Sequence, residues 1–288
     1  MKTNHYQLRT VLFATAMLVL LTGTLAYADN IYVACYGNGD IVKIDSSGNK
    51  TIFASSFNGP TGLAFDSSGN LFVADGNGGT IEKLNASGNR TVFASGLSSP
   101  QGLAFDTSGN LYAAEWGRNQ IDIFDSSGNS SVFPGSLSRP EGLVFDSSGN
   151  LYSGSQLYSK IYKFDSSGNR SVFATSSVPI GLAFAFDNSG YLYAASWGSG
   201  TIQKFDSSGN GITFASGFNN PYGLAFDSGN NLYMADEYTG MITKFDSSGN
   251  GALFASGLSQ PTFIATQVPE PATLFLLGLG ALVARRKR

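Results

Sequence analysis

Histidine is all but missing. His5 is the only one in 288 residues, and it lies in a stretch with the marks of a leader. The remaining chain therefore offers no Ser-His-Asp or Cys-His arrangement and no imidazole metal ligand. Cysteine is equally scarce. Cys35 stands alone, so no internal disulfide is available, and a thiol nucleophile would lack a basic partner. An inert buried thiol competes with that catalytic reading. Charge is sparse at 13% of residues, and much of the positive charge is terminal. Without residues 1–28 and 272–288 the formal charge falls from −3 to −9. So acidic a remainder repels phosphate backbones, which argues against nucleic acid as a partner.

The two ends depart from the rest. Residues 1–28 carry Lys2 and Arg9, the apolar run "VLFATAMLVLL", and the small-residue exit Ala26-Tyr27-Ala28. That order reads as a secretory signal cleaved before Asp29, with an uncleaved anchor as the alternative. The other end reads "VPEPATLFLLGLGALVARRKR". Its apolar part, 272–284, would measure about 20 Å as a helix, against a hydrocarbon core of about 30 Å. A basic cluster at 285–288 would hold the end on the cytoplasmic side. Pro269-Glu270-Pro271, a greasy segment and a basic terminus resemble the PEP-CTERM sorting signal of Gram-negative bacteria. The resemblance implies transient membrane contact through the tail and recognition by an exosortase-type protease. A plain tail anchor is the alternative.

Between the ends one phrase recurs. "GLAFDSSGNLF" at Gly62 returns with small changes at Gly102, Gly142, Gly181 and Gly223. Each period of about forty residues holds four short runs, such as "GLAFD", "LFVAD", "IEKLN" and "TVFAS". Their alternating β-branched and aromatic residues, bounded by Gly, Asn and Ser, predict strands. The DSSGN segments predict hairpin turns, with Asp bonding amides two residues on and Gly supplying positive φ. A calcium reading of these turns competes, but each brings only one carboxylate to an ion that wants six to eight oxygens. One four-stranded sheet cannot bury its own faces, so the units must stack radially as an all-β propeller. The segments 30–55 and 261–267 supply three strands and one strand of an incomplete unit. Together they predict a sixth blade shared by both termini.

The pattern P-x-G-L-A-F-D-x-x-G-N-L-Y-V-A-D…I-x-K-F-D over 30–267 resembles the NHL repeat, which implies a six-bladed β-propeller spanning 29–267. It is similar, less specifically, to the gluconolactonase and strictosidine-synthase group and to the virginiamycin B lyase group. Lyases of the last kind rely on histidine, which argues against that activity here. The gluconolactonase type implies acids and asparagines around a divalent metal. Of that set only Glu141 holds a matching place, while Thr61, Gln101, Ile180, Tyr222 and Thr262 depart from it.

Alternating strands put every DSSGN turn on one face of the disc and the variable connections on the other. Loops on a rigid frame carry function, which favours the variable face. Its aromatics Trp116, Tyr158, Trp197, Tyr222 and Tyr238, with Arg118 and Arg139, suit stacking on sugar or gripping a protein; packing between blades is the competing reading. Its acids Asp75, Glu115, Glu141, Asp236 and Glu237 suit a divalent cation such as calcium, the one cofactor this chain suggests. Capping of local amides is the competing reading there. The expectation is a non-enzymatic exported module for polysaccharide or surface protein, with a metal-dependent lactonase and a purely structural protein as alternatives.

Overall fold

A computed structural model describes residues 29–135, 137–155, 158–176 and 183–267. These residues form six four-stranded antiparallel sheets, five of them running inner to outer in chain order. The blades cover 60–95, 100–132, 140–175, 184–216 and 221–255, and the sixth joins 261–267 to 30–54. In that last blade Ile31 pairs with Thr266 and Val33 with Ile264. Each inner strand touches the inner strands of both neighbouring blades, so the ring closes.

The turns form as their composition dictates. In Asp45–Asn49, Asp45 Oδ1 accepts from the amides of Ser47 at 2.9 Å and Asn49 at 3.0 Å. The Asn49 side chain then donates to Asp45 Oδ2 at 3.0 Å. Gly48 takes φ of 83°, a conformation that costs glycine little. The final Asn as a clamp on the Asp was not legible from turn propensity. It recurs in most of the turns, as at Asp66–Asn70 and Asp206–Asn210.

Two features explain the recurring "G-L-A-F", which reads G-L-V-F at Gly142. A Cβ on Gly62 would stand 2.1 Å from the carbonyl oxygen of Gln101, and one on Gly102 2.2 Å from that of Glu141. Glycine here lets adjacent blades press backbone to backbone around the axis. The Phe of the same run caps the preceding blade. Phe105 meets Phe72 edge-on at 5.0 Å, and Phe72 meets Phe93 of its own blade at 4.9 Å. Tyr152 sits likewise between Phe173 and Phe186, at 5.0 and 5.2 Å. Each such pair adds about 1 kcal/mol beyond its buried area. Gly102→Ala should therefore cost about 2–3 kcal/mol through overpacking. Denaturant unfolding would check this; an unchanged midpoint would mean the inner strands can spread.

The outermost strands are edges. Each shows one exposed large apolar side chain (Ile52, Val92, Val132, Val172, Ile212, Leu253). Lys50, Arg90 and Arg170 open three of these strands, and such charges discourage edge-to-edge pairing.

Candidate functional site

The variable connections meet over the inner strands and enclose a cavity of about 370 Å³. Five of its lining residues, Thr61, Gln101, Glu141, Tyr222 and Thr262, occupy the same register at the start of five inner strands. The rest follow the second strands or precede the inner ones: Tyr36, Gly76, Asn77, Trp116 and Glu237, with Ser99. The cavity thus sits at the mouth of the central channel.

Two lining threonines serve the fold. The Thr61 hydroxyl lies 2.9 Å from the carbonyl oxygen of Pro100 in the next blade, and Thr262 lies 3.3 Å from that of Pro60. Glu141 holds the equivalent place differently. It is 2% exposed, and its Oε2 has no hydrogen-bond partner. Burial pushes its carboxyl up to about 8. Tyr222 faces the same space; burial and the nearby carboxylates of Glu141 and Glu237 hold its phenol well above the usual range. Glu237, raised by burial and by Asp236, accepts from the Asn220 side chain. Across the cavity the Asn77 amide donates to the Tyr36 hydroxyl at 3.1 Å.

The fold divides the sequence-derived candidates. It brings Trp116, Tyr222, Glu141 and Glu237 together at the mouth. It leaves the other acids elsewhere. Asp75 Oδ2 accepts from the Asn58 amide at 2.9 Å, and Asp236 Oδ2 from the Asn219 amide at 2.9 Å. Glu115 Oε2 accepts from the Ser98 amide at 3.1 Å, while Oε1 meets Arg118 at 2.9 Å. These three close the second strands and fasten the loop before their own inner strand, which is the amide-capping role. Glu115 is pushed up to about 7 by burial and by Asp122, against the pull of Ser98 and Arg118. Among the described residues no three acids or cysteines are grouped so as to hold a metal ion. The five carboxylates therefore do not fit a shared divalent-cation site, because three of them turn away to backbone amides.

The remaining candidates scatter. Arg139 lays its guanidinium 4.6 Å over the Trp116 ring, and Arg118 is spent on Glu115 and the Gly96 carbonyl. Trp197 and Tyr238 are exposed and stand outside the cavity. The side chains of Tyr158 and Ile180 lie outside the described residues, as do Ala26, Ala28, Pro269, Glu270 and Pro271. Cys35 is buried, its thiol pushed up to about 11 by that burial, which suits a packed and unreactive group. Tyr36, Thr61, Asn77, Ser99, Gln101 and Thr262 are the lining side chains that sequence reasoning did not nominate. The available signal was register: Tyr36 stands where Trp116 does, one residue past a second strand, and Gln101 where Glu141 does, at the start of an inner strand.

Comparison with known proteins supports this architecture. The NHL repeat model matches residues 57–84, and the PEP-CTERM protein-sorting motif matches residues 267–288. The chain carries an NHL repeat and ends in a PEP-CTERM motif. That motif marks it for export and envelope sorting in bacteria and implies recognition by an exosortase. No curated protein matches the sequence. Among solved structures, a chain of the nidogen/laminin complex superposes with TM-score 0.74 at 21% identity, covering 83% of this chain and 98% of that one. A catalytically inactive virginiamycin B lyase from Staphylococcus aureus with quinupristin gives 0.64 at 16%, covering 84% and 93%. A gluconolactonase from Xanthomonas campestris gives 0.64 at 19%, covering 82% and 87%. At such identities the likeness is one of fold, which hosts unrelated functions.

Proposed function

We propose that the protein is a non-enzymatic binding module of the Gram-negative envelope that holds carbohydrate at the mouth of its propeller channel. Export would begin with cleavage after Ala28, and the tail from Val268 onward would be the exosortase substrate. The observation that carries the reading is the cavity itself: Tyr36, Trp116 and Tyr222 give it aromatic walls, and Asn77 and Gln101 line it with amides. Aromatic walls with a few convergent polar groups are what a sugar ring needs, its apolar face stacking while its hydroxyls bond. Trp116→Ala and Tyr36→Ala should each weaken retention on a bacterial-polysaccharide array by about tenfold, roughly 1.4 kcal/mol. Trp197→Ala, outside the cavity, should leave retention unchanged. Equal losses at all three positions would move the site away from the mouth.

A metal-dependent lactonase remains the competing reading because Glu141 faces this cavity on a scaffold that a gluconolactonase shares. Lactone turnover that a chelator abolishes would establish it in place of the binding role.

A further inference from the structure

The cavity is lopsided in its ionisable groups. Glu141 and Glu237 line it, and no lysine or arginine does among the described residues. Arg139 lies behind this lining, stacked on the ring of Trp116, and Arg118 is paired with Glu115. Glu141 is the buried member, and one of its oxygens faces no donor. A buried carboxyl oxygen left without a partner is costly whichever form the group takes, and in native proteins such an atom calls for an explanation. Thr61 and Thr262 show what a purely structural residue does at this register: it hydrogen-bonds to the neighbouring blade.

The geometry points to a ligand that brings its own cation: we infer that the channel mouth takes an amino-sugar residue, with its ammonium donated to Glu141 and its ring held among Tyr36, Trp116 and Tyr222. This rests on the carbohydrate reading above and names the class of sugar. An ammonium provides three donors in a compact head, matching one unsatisfied carboxylate oxygen and leaving donors for the neighbouring hydroxyl and amide oxygens. The aromatic rings add cation–π attraction. Gln101 and Asn77 fit the hydroxyls of a sugar ring better than the methylene stem of a lysine, which would seek apolar walls. A cavity of about 370 Å³ accommodates one such residue, and its open side lets a polymer continue outward.

The full-length chain, purified in detergent, would be titrated calorimetrically with the fully deacetylated glucosamine trimer, the N-acetylglucosamine trimer, a glucose trimer, Nα-acetyl-lysine amide and calcium chloride. The deacetylated trimer should bind at least tenfold more tightly than either neutral trimer. Glu141→Gln should lose that preference, while Trp116→Ala weakens all sugars alike. Neutral trimers binding as well as the deacetylated one, with Glu141→Gln silent, would overturn the ammonium assignment and leave the carbohydrate reading standing. No trimer binding at all would sink both. Preference for the lysine derivative, or for calcium with sugar excluded, would replace the amino sugar by a peptide or a metal.

Discussion

Deleting residues 261–288 should abolish cooperative unfolding, whereas deleting only 268–288 should leave it intact. The segment Pro261–Gln267 is the inner strand of the sixth blade and its only contribution from the C-terminal side. It buries Thr262, Phe263, Ile264 and Ala265. Phe263 and Ile264 alone represent about 3–6 kcal/mol of lost burial. Loss of the strand also strips hydrogen bonds from Asn30–Cys35 and opens the ring between the fifth blade and the first. A domain of this size has about 5–15 kcal/mol to lose. Calorimetry of the two truncations decides the matter: a sharp transition in the shorter chain would show that the ring holds without closure.

A circular permutant separates loss of the strand from loss of its tether. Gln267 stands where other blades have the turn's Asp, and Asn30 where they have its final Asn. The pairing shows this, since Ile31 faces Thr266 as Leu71 faces Phe65. The Tyr32 hydroxyl even reaches Gln267 at 3.1 Å, as Tyr152 reaches Asp146 at 3.2 Å. The two segments of the sixth blade therefore meet as an interrupted hairpin. Joining Gln267 to Asn30 through Ser-Ser-Gly, with new ends opened before Pro261, should restore a single transition. Its melting temperature should match that of the 268–288 deletion within a few degrees.

The shared blade was legible because a strand-sized remnant at each end could only complete the other. The turn chemistry was legible too, since Asp and Gly act on their immediate neighbours. What escaped were contacts between units. Nothing in one period shows that Gly62 must make room for the carbonyl of Gln101, or that Phe105 belongs to the core of the preceding blade. The acids show the same limit. Asp75 and Glu141 look alike as carboxylates at loop ends, yet one lies against an amide seventeen positions earlier and the other faces the channel mouth. Register separates them: Asp75 ends a second strand, and Glu141 begins an inner one. The sequence carries that register, but which of the two rings lines the cavity depends on how six sheets meet.

Glu141→Gln should make the protein more stable at neutral pH and no more stable in acid. The folded-state carboxyl titrates at about 8, against 4.5 for the free group. Below pH 4.5 the group is protonated in both folded and unfolded chains, so it contributes no pH-dependent cost. As pH rises past 4.5 the unfolded chain releases the proton and the folded chain keeps it, and stability falls. The fall continues to about pH 8, where the folded chain ionises as well. At 1.36 kcal/mol per unit the accumulated cost at pH 7 is about 3 kcal/mol. Replacement by glutamine removes that cost, less what its amide loses for want of a partner. The melting temperature should rise by about 5–10 °C at pH 7 and stay nearly unchanged at pH 4. An equal gain at both values would trace the effect to packing instead of charge. A stabilised variant that no longer distinguishes deacetylated from acetylated trimers would tie the two roles together: the buried acid costs the fold stability at neutral pH because it is kept for a cation arriving from outside, on whose binding it gives up its proton.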